Sequence, residues 1–379
     1  MKYLPVLFGY HASNLGNSHV PLSLCRYWNI EGNEVRLTVP SAEKNLDFPW
    51  LIPAMSGIKK KLVYKLSDAN QPTTIAEQFF LKHEKHAPYV YLWAGLSFEI
   101  FEAFHARGAK IIIERINCHR QTARNVLQQA ADQWNIAVHN PITEEDVVAE
   151  SRKLDLVDSV FCPSPMVRAS MLENRVPETK LLSTSYGWAP ERFPQRDQRN
   201  TIGKRPIFLF AGTICVRKGI PLLLEAWKRA DLDAELVLCG NIAPEISHHF
   251  PSFDTYKNVR HVAYTRDIGQ LYSTADLFVF PSLEEGGPMV TYEAMAHAIP
   301  PLVTAMGGGA IVQDGLNGII LPDMDIDAWA EAMTAMVQDP AKRAELGENA
   351  RKRAEMFTWK KVAKQRGILL QQRYTDLWK

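Results

Sequence analysis

The hydrophobic pattern of the chain alternates between two kinds of segment. Short apolar runs rich in Val, Ile and Phe are followed by longer stretches whose apolar residues recur every three to four positions. The first pattern is typical of buried strands and the second of helices, and their alternation predicts βαβ units with parallel sheets. In the first half we expect strands at 6–10, 34–39, 89–92, 110–114 and 159–161, and helices near 18–28, 97–107, 120–134 and 144–153. Residues 41–71 show no clear period.

A polar, turn-rich stretch at 194–206 separates this half from a second copy of the pattern. Its composition predicts an interdomain linker. Beyond it we expect strands at 207–211, 234–239, 276–281 and 301–304, helices at 221–229 and 288–297, and several terminal helices within 325–379. The pattern therefore predicts an α/β protein with two parallel-sheet domains, at 1–195 and 206–357, followed by a C-terminal helix at 358–379.

The composition fits a soluble protein with two domains. The chain has 379 residues, more than one hydrophobic core usually supports, and 46% of them are hydrophobic. Lys and Arg number 43 against 42 Asp and Glu, so the net charge gives no general attraction to nucleic acid or acidic lipid. No run of about 18 apolar residues occurs, which argues against an integral membrane protein.

Cysteine and histidine spacing indicates neither a disulfide framework nor a metal site. The five cysteines are scattered and never form a CxxC pair, which fits a reducing cytoplasm. His83-x-x-His86 and His248-His249 have no third ligand at metal spacing. We therefore expect a cytoplasmic protein that holds no metal.

The strongest chemical signal lies at 281–296, where a Gly-containing loop follows an apolar strand and opens a helix. Ligands bind at the carboxyl ends of parallel strands, and a helix N-terminus favours an anion such as phosphate. Glu285 and Glu293 are separated by seven residues, so both carboxylates can face one crevice. A carboxylate accepts two hydroxyl hydrogen bonds, which suits a ribose or a sugar diol. Taken alone, the two residues fit a purely structural interpretation better, in which Glu285 interacts with the helix dipole and Glu293 is an ordinary helix acid.

The motif Glu285-x7-Glu293, with Pro-Ser before it and Ala-Met-Ala after it, resembles the signature of the retaining glycosyltransferases of family 4, the glycosyl transferases group 1. Further landmarks resemble that family in the same order, at 210–213, 217–219, 222–226, 271–276, 307–309 and 314–318. The resemblance covers essentially all of 206–360. It implies the GT-B fold, in which two Rossmann-like domains face each other across a cleft and a C-terminal helix crosses back to the first domain.

The resemblance also implies roles for residues of the second domain. Glu293 would hold the ribose of the nucleotide, and Glu285 would contact the transferred sugar. The nucleotide diphosphate would lie against the glycines and the first helical turn, namely Gly212, Thr213, Gly286, Gly287, Met289, Val290 and Thr291.

Two basic groups usually neutralise the leaving diphosphate in this family. Lys218 matches one of them, but the usual arginine position after the glycine of the first strand is Thr213. Arg217 is our candidate to replace it, because a guanidinium binds two phosphate oxygens at once. Ala310 also stands where many members of the family have an acid.

The first domain resembles the family through a glycine-containing loop and the end of one strand. Gly16 would allow close approach of the backbone to the donor phosphates or the acceptor. His119, in Glu114-Arg115-Ile116-Asn117-Cys118-His119, is the candidate for a histidine beside the transferring sugar. Without the resemblance, a single histidine is more often structural. Residues 51–66, apolar and then lysine-rich, could form a membrane-surface or acceptor-binding segment, or a solvated loop.

The expected reaction is metal-independent transfer of a sugar, with retention, from a nucleotide-diphosphate sugar to a hydroxyl of a glycan or lipid-linked acceptor. UDP is favoured and GDP is possible, with the base bound near 261–265. The expected setting is polysaccharide or glycoconjugate biosynthesis in the cytoplasm, with peripheral contact at the inner face of the membrane. A GT-B epimerase or phosphorylase and a non-catalytic sugar-nucleotide-binding protein remain alternatives. A nicotinamide dehydrogenase does not fit, because residues 8–14 lack GxGxxG.

Overall fold

The structure, a computed structural model, describes residues 3–13, 16–66, 70–93, 95–137, 140–193, 205–249, 253, 256–265 and 267–378. Within these residues the first domain contains a seven-stranded sheet. Its strands are β1 Leu4–Leu7, β2 Val35–Val39, β3 Leu51–Pro53, β4 Tyr89–Trp93, β5 Lys110–Glu114, β6 Ser159–Cys162 and β7 Leu181–Ser183. They pair in parallel in the order β3-β2-β1-β4-β5-β6-β7.

The second domain repeats this arrangement with six parallel strands. They are β8 Ile207–Ala211, β9 Glu235–Cys239, β10 Val259–Val262, β11 Leu277–Phe280, β12 Pro301–Val303 and β13 Ile319–Ile320. Their order is β10-β9-β8-β11-β12-β13, so the strand order reverses between β8 and β11. In the first sheet the corresponding switch lies between β1 and β4. Ligands of open α/β sheets bind in the crevice beyond such a switch point.

Helices cover the sheets in both domains, as expected for parallel strands buried on both faces. In the first domain they are α1 His19–Ile30, α2 Gly57–Leu66, α3 Gln71–His83, α4 Phe98–Ala106, α5 Arg120–Trp134, α6 Glu144–Leu156 and α7 Pro165–Glu173. In the second they are α8 Ile220–Ala230, α9 Pro244–His249, α10 Gly269–Tyr272, α11 Met289–Ala296, α12 Ala305–Gly308, α13 Ile326–Gln338 and α14 Pro340–Ala354, and the chain continues into α15 Trp359–Arg373.

The predicted α/β class with two parallel sheets is confirmed, and the differences concern strand ends, short strands and several helices that were not expected, including the 13-residue α3 and the nine-residue α7. The first strand ends at Leu7, three residues before the predicted end. Residues 41–71, which show no period, contain β3 and α2. The strands β7, β10 and β13 were not expected; they have three, four and two residues, too few to show a period. Most of the predicted linker, 194–204, lies outside the described residues.

The last helix, α15, packs against the first domain. The indole Nε1 of Trp28, on α1, donates a hydrogen bond of 2.7 Å to the carbonyl of Ala363. The chain segments that cross between the domains lie side by side, because Trp188 N donates to the Phe357 carbonyl and Trp359 N donates to the Trp188 carbonyl, both at 3.0 Å. The second crossing thus returns the chain to the domain from which it started.

A buried ion pair fixes α15 to the sheet of the first domain. The Arg366 guanidinium, 0% exposed, donates from Nη1 and Nη2 to the Glu114 carboxylate at 2.6 and 3.3 Å. Nη2 also donates to the Ser185 carbonyl at 2.9 Å, and the Tyr91 hydroxyl donates to Glu114. The Phe161 ring centroid lies 4.9 Å from the guanidinium carbon. Glu114 therefore has its charge balanced by a residue 252 positions along the chain.

Candidate active site

The loop between β8 and α8 is held against the loop that follows β11. Gly219 has φ +70°, and a Cβ on it would lie 2.0 Å from the Pro281 carbonyl oxygen. Only glycine fits this backbone position without displacing one of the loops. Since β8 and β11 are neighbours, the two loops meet at the switch point, with Lys218 beside Glu285.

Lys218 and Glu285 form a largely buried ion pair. The Lys218 Nζ donates to Glu285 Oε1, and the Ser282 hydroxyl donates to the same oxygen at 2.9 Å. The ammonium lies 5.1 Å from the centroid of the Phe280 ring. Burial lowers the pKa of Lys218 below its ordinary value, and the charge of Arg217 lowers it further. An additional negative charge nearby, such as that of a phosphate, would therefore stabilise the charged form of Lys218 and raise its pKa.

Arg217 lies between the two adjacent glutamates of the β11 loop. Its Nη1 donates to Glu284 Oε2 at 3.2 Å and to the Glu284 carbonyl at 3.0 Å, and lies 4.0 Å from Glu285 Oε1. About a third of its side chain is exposed, so it can reach a ligand in the cleft. Thr213, which stands where the family usually has arginine, also lines this cleft. The structure thus brings Thr213, Arg217, Lys218 and Glu285 to one place.

The β11 loop also touches the first domain. Glu284 accepts hydrogen bonds from Asn117 Nδ2 at 2.5 Å and from Cys118 N at 3.2 Å. A Cβ on Gly286 would lie 2.2 Å from the Ile116 carbonyl oxygen, and one on Gly287 would lie 2.8 Å from the Tyr186 ring. Both glycines, predicted to face phosphate, lie against the opposite domain here. No sequence pattern indicated this long-range contact.

Glu293 is buried on α11 with two partners. Its Oε1 accepts from Arg192 Nη1 at 3.2 Å, and its Oε2 accepts from the Tyr272 hydroxyl at 3.1 Å. Burial raises the pKa of this carboxyl, while Arg192 and the bond from Tyr272 act in the opposite direction. Sequence reasoning singled out Glu293 but gave no role to Arg192, which belongs to the first domain.

The first turn of α11 follows Pro288, which stands at its N-cap. Met289 and Val290 open the helix, where backbone N–H groups have no acceptor within the helix. The Thr291 hydroxyl, expected to face a diphosphate, is fully buried and donates to the Gly307 carbonyl at 2.8 Å. Gly212, at the end of β8, has φ +149° and lies beside the rings of Phe210 and Phe280.

In the first domain, His119 caps a helix. Its Nδ1 accepts from the Gln121 backbone N–H at 3.2 Å at the start of α5, and its Nε2 lies 3.6 Å from Glu150 Oε2. Burial lowers the pKa of the imidazole, with Glu150 opposing the shift. The structure thus gives His119 a capping contact. Gly16, with φ +56°, begins the single turn that leads into α1.

A cavity of about 570 Å³ lies between the domains, next to this cluster. Its lining includes four basic and four acidic side chains, namely Arg115, Arg120, Lys153 and Arg217 with Asp146, Glu150, Glu245 and Glu284. Lys218, Glu285, Glu293 and His119 are described but are not among its lining residues. The charged residues of α5 and α6 were not predicted as site residues, because in sequence they look like solvated helix faces.

No described group of three or more His, Cys, Asp or Glu side chains is arranged to hold a metal ion. All five cysteines are buried and free. Within the part of the chain that the structure describes, no helix has the length and apolar character needed to cross a membrane.

Two parallel-sheet domains whose strand ends face each other across a cleft, with a terminal helix returning to the first domain, define the class of GT-B proteins. Residues 191–353 match the model of the family described as "Glycosyl transferases group 1". The family resemblance expected from the Glu285-x7-Glu293 motif is therefore confirmed.

Solved structures share the architecture over nearly the whole chain. Sucrose-phosphate synthase from Thermosynechococcus elongatus has a TM-score of 0.75 at 22% identity, covering 99% of this chain and 100% of that one. HepE of Anabaena, in complex with UDP and glucose, has a TM-score of 0.68 at 12% identity, covering 98% and 100%. These likenesses confirm the predicted GT-B fold.

The similarity to curated relatives extends over only part of the chain. Alpha-maltose-1-phosphate synthase of Mycolicibacterium smegmatis is 34% identical over 179 residues, 42% of this chain and 46% of the relative. D-inositol 3-phosphate glycosyltransferase of Kineococcus radiotolerans is 28% identical over 307 residues, 67% of this chain and 70% of the relative. The chain thus spans less than half the length of the first of these relatives, and about two thirds of the second.

Proposed function

We propose that the chain is a retaining glycosyltransferase that uses a nucleotide-diphosphate sugar as donor. The observation that carries this proposal is the cluster of Arg217, Lys218 and Glu285 at the switch point of the second sheet, beside the N-terminus of α11. A buried lysine, a partly exposed arginine, the backbone N–H groups of a first helical turn and a helix dipole suit a diphosphate. The match of residues 191–353 to the model of the glycosyl transferases group 1 supports the same chemistry.

The donor would lie with its diphosphate against Lys218, Arg217 and the amides of Met289 and Val290. Glu293 would accept the two ribose hydroxyls. Burial removes water from the Lys218 ammonium and disfavours its charged form. A diphosphate bound next to the ammonium would compensate for the lost hydration and favour the charged form. No metal ion is needed in this arrangement, because the protein supplies the positive charges.

The reaction would be a same-face substitution. The bond between the anomeric carbon and the diphosphate oxygen breaks, and a bond to the acceptor oxygen forms on the same face of the sugar. The departing phosphate oxygen takes the proton of the acceptor hydroxyl, so no separate general base is required. Lys218 and Arg217 would stabilise the charge that develops on the diphosphate, and Glu285 would orient the transferred sugar.

The names of the similar proteins suggest candidates for the donor nucleotide and for the acceptor. HepE was solved with UDP and glucose, which supports UDP as the first candidate nucleotide, with GDP second. The names of the curated relatives refer to maltose 1-phosphate and inositol 3-phosphate. We therefore include small phosphorylated sugars and polyols among the candidate acceptors, beside glycans and lipid-linked acceptors.

Helix α2 supports a proposal of peripheral membrane contact. Ile58, Leu62 and Leu66 are four residues apart on one helix face and are 78%, 51% and 74% exposed. Lys61 and Lys65 lie on the same helix. An exposed apolar face with lysines suits an anionic lipid surface. Co-sedimentation with anionic vesicles, lost in Leu62→Ser, would support this contact, whereas unchanged sedimentation of the variant would contradict it.

Donor binding is the most direct test of the proposed function. Thermal unfolding of the full chain is compared with UDP-, GDP- and ADP-sugars, since a ligand at 100 times its Kd stabilises the native state by about 2.7 kcal/mol. One nucleotide class should raise the melting temperature of the wild type and of Lys360→Ala, a control at an exposed lysine, but raise that of Lys218→Ala less. No shift with any donor would contradict the proposal.

Product analysis with a donor labelled in the sugar separates the alternatives. A glycosyltransferase moves the label to the acceptor, whereas an epimerase leaves the label on a changed nucleotide sugar. A phosphorylase with inorganic phosphate produces labelled sugar phosphate, and a binding protein leaves the donor intact.

A further inference from the structure

The segment that leaves the first domain carries an arginine to the proposed ribose site. Arg192 ends a single helical turn, Pro190–Arg192, which lies just before the connection to the second domain. Its Nη1 lies 3.2 Å from Glu293 Oε1. The Glu293 side chain is 8% exposed and that of Arg192 is 27% exposed, so the cation reaches a buried carboxylate from a position that water still contacts.

Aromatic contacts fix this arginine in place. The next residue, Phe193, packs edge-on against Tyr272 and His297, with ring centroids 5.9 and 5.0 Å apart. The Arg192 guanidinium carbon lies 5.4 Å from the Phe193 ring centroid. Tyr272 in turn donates its hydroxyl to Glu293 Oε2 at 3.1 Å. Arg192, Phe193 and Tyr272 therefore form a connected support around one carboxylate.

The hydrogen-bonding capacity of Glu293 matches a ribose diol. An ionised carboxylate has about four acceptor positions, two on each oxygen. Arg192 uses one position on Oε1 and Tyr272 uses one on Oε2. With respect to the described residues, one position remains on each oxygen, and the two hydroxyls of a ribose need two acceptors held at a fixed separation.

We propose that Arg192 is a positioning residue for the nucleotide, which keeps the Glu293 carboxylate ionised and oriented to accept both ribose hydroxyls. The proposal rests on the proposed function, in which Glu293 binds the ribose. Of the described residues bonded to this carboxylate, Arg192 is the one that carries a positive charge. It comes from the first domain, so ribose binding depends on a residue outside the nucleotide-binding domain.

Loss of Arg192 should make nucleotide binding depend on pH. The groups that face Glu293 are Arg192, the Tyr272 hydroxyl and His297, whose Nδ1 lies 2.7 Å from the Glu293 carbonyl oxygen. Burial raises the pKa of Glu293 and Arg192 opposes that shift. Without the arginine, the carboxyl takes up a proton at a higher pH and loses acceptor positions. Affinity for a ribonucleotide should then fall as the pH is lowered, more in the variant than in the wild type.

The test compares ribonucleotide and 2′-deoxyribonucleotide binding in the full chain. Among UDP, GDP and ADP, the one that stabilises the wild type most is titrated by calorimetry together with its 2′-deoxy form, at about pH 5.5 and about pH 8. We expect Arg192→Met to weaken binding of the ribonucleotide about tenfold, the effect of losing one charge-assisted hydrogen bond, and to weaken the 2′-deoxy form less. Arg192→Lys should restore part of the affinity.

Glu191→Gln serves as the matched control, because Glu191 is the adjacent residue and its exposed side chain interacts with Arg26 at 3.4 Å and with the Tyr27 hydroxyl, both in the first domain. It should bind both nucleotides as the wild type does. Thermal unfolding without nucleotide checks that Arg192→Met remains folded. An unchanged ratio of ribonucleotide to 2′-deoxy affinity in Arg192→Met, with no added pH dependence, would overturn the positioning role. If the wild type binds none of the three diphosphates, the proposed function itself fails, and this inference fails with it.

Discussion

Replacing Arg366 with methionine should destabilise the protein far more than removing an exposed arginine. Arg366 and Glu114 are each 0% exposed, and the guanidinium bonds the carboxylate through both terminal nitrogens. Methionine keeps much of the packing of the arginine stem but leaves the Glu114 carboxylate with two neutral donors, the hydroxyls of Tyr91 and Tyr186, and without the cation that balances its charge. Removing one partner of a buried pair costs about 3–5 kcal/mol, because an uncompensated charge stays in the interior.

Urea unfolding followed by tryptophan fluorescence measures this loss, since Trp28 and Trp359 lie in the core region that α15 completes. The control is Arg351→Met, which removes an exposed arginine paired with Glu348 and Glu355 and should cost at most about 1 kcal/mol.

A second variant separates charge burial from lost packing. In the double variant Glu114→Gln with Arg366→Met the buried carboxylate is gone, so we expect a smaller loss than in Arg366→Met alone. If Arg366→Met unfolds at the same urea concentration as Arg351→Met, the ion pair does not anchor α15. If the double variant is the less stable of the two, uncompensated charge is not the source of the loss.

Three further predictions concern the cleft. Lys218→Ala should lower turnover by about 100-fold or more, as for loss of one preorganised donor. Because the pKa of Lys218 is lowered, donor binding by the wild type should be accompanied by proton uptake on this lysine, and donor affinity should fall as the pH rises through that pKa. Calorimetry in two buffers with different ionisation enthalpies detects the proton uptake, which Lys218→Ala should abolish. Thr213→Arg places a guanidinium in the cleft beside Arg217 and should tighten nucleotide diphosphate binding several-fold by titration; weaker binding would mean that Arg217 already occupies that phosphate position. Gly286→Ala puts a Cβ 2.2 Å from the Ile116 carbonyl oxygen of the first domain, so the β11 loop or the Ile116 backbone must move. We expect the domains to pack less closely, with a larger radius of gyration in solution scattering and at least about tenfold lower kcat/KM; an unchanged radius would contradict this.

The sequence predicted the features that depend on local pattern. The strands Ile207–Ala211 and Leu277–Phe280 are apolar runs next to glycine-containing loops. The family resemblance of those loops implied that Lys218 faces the diphosphate and Glu285 the transferred sugar, and the structure places the two side chains together. What the pattern missed depends on long-range contacts. Arg192 lies 101 residues from Glu293, and its charge alone does not distinguish it from a solvated arginine. His119 is the opposite case, a residue that the resemblance singled out. Its position directly before α5 allows a helix cap as readily as a contact with the sugar, and the sequence does not distinguish the two.

The return of α15 to the first domain has a consequence for synthesis on the ribosome. Trp359, Val362 and Leu370 of this helix belong to the same hydrophobic cluster as Leu4 and Val6 of the first strand. Domains generally fold as units while the chain emerges, the N-terminal one first. Here the first domain cannot complete its core until the last helix has been made, so its unfilled surface stays open while the whole second domain is translated. That interval is when chaperone binding or aggregation would compete with folding, and variants that weaken α15 should show reduced soluble yield before they show any loss of catalytic rate.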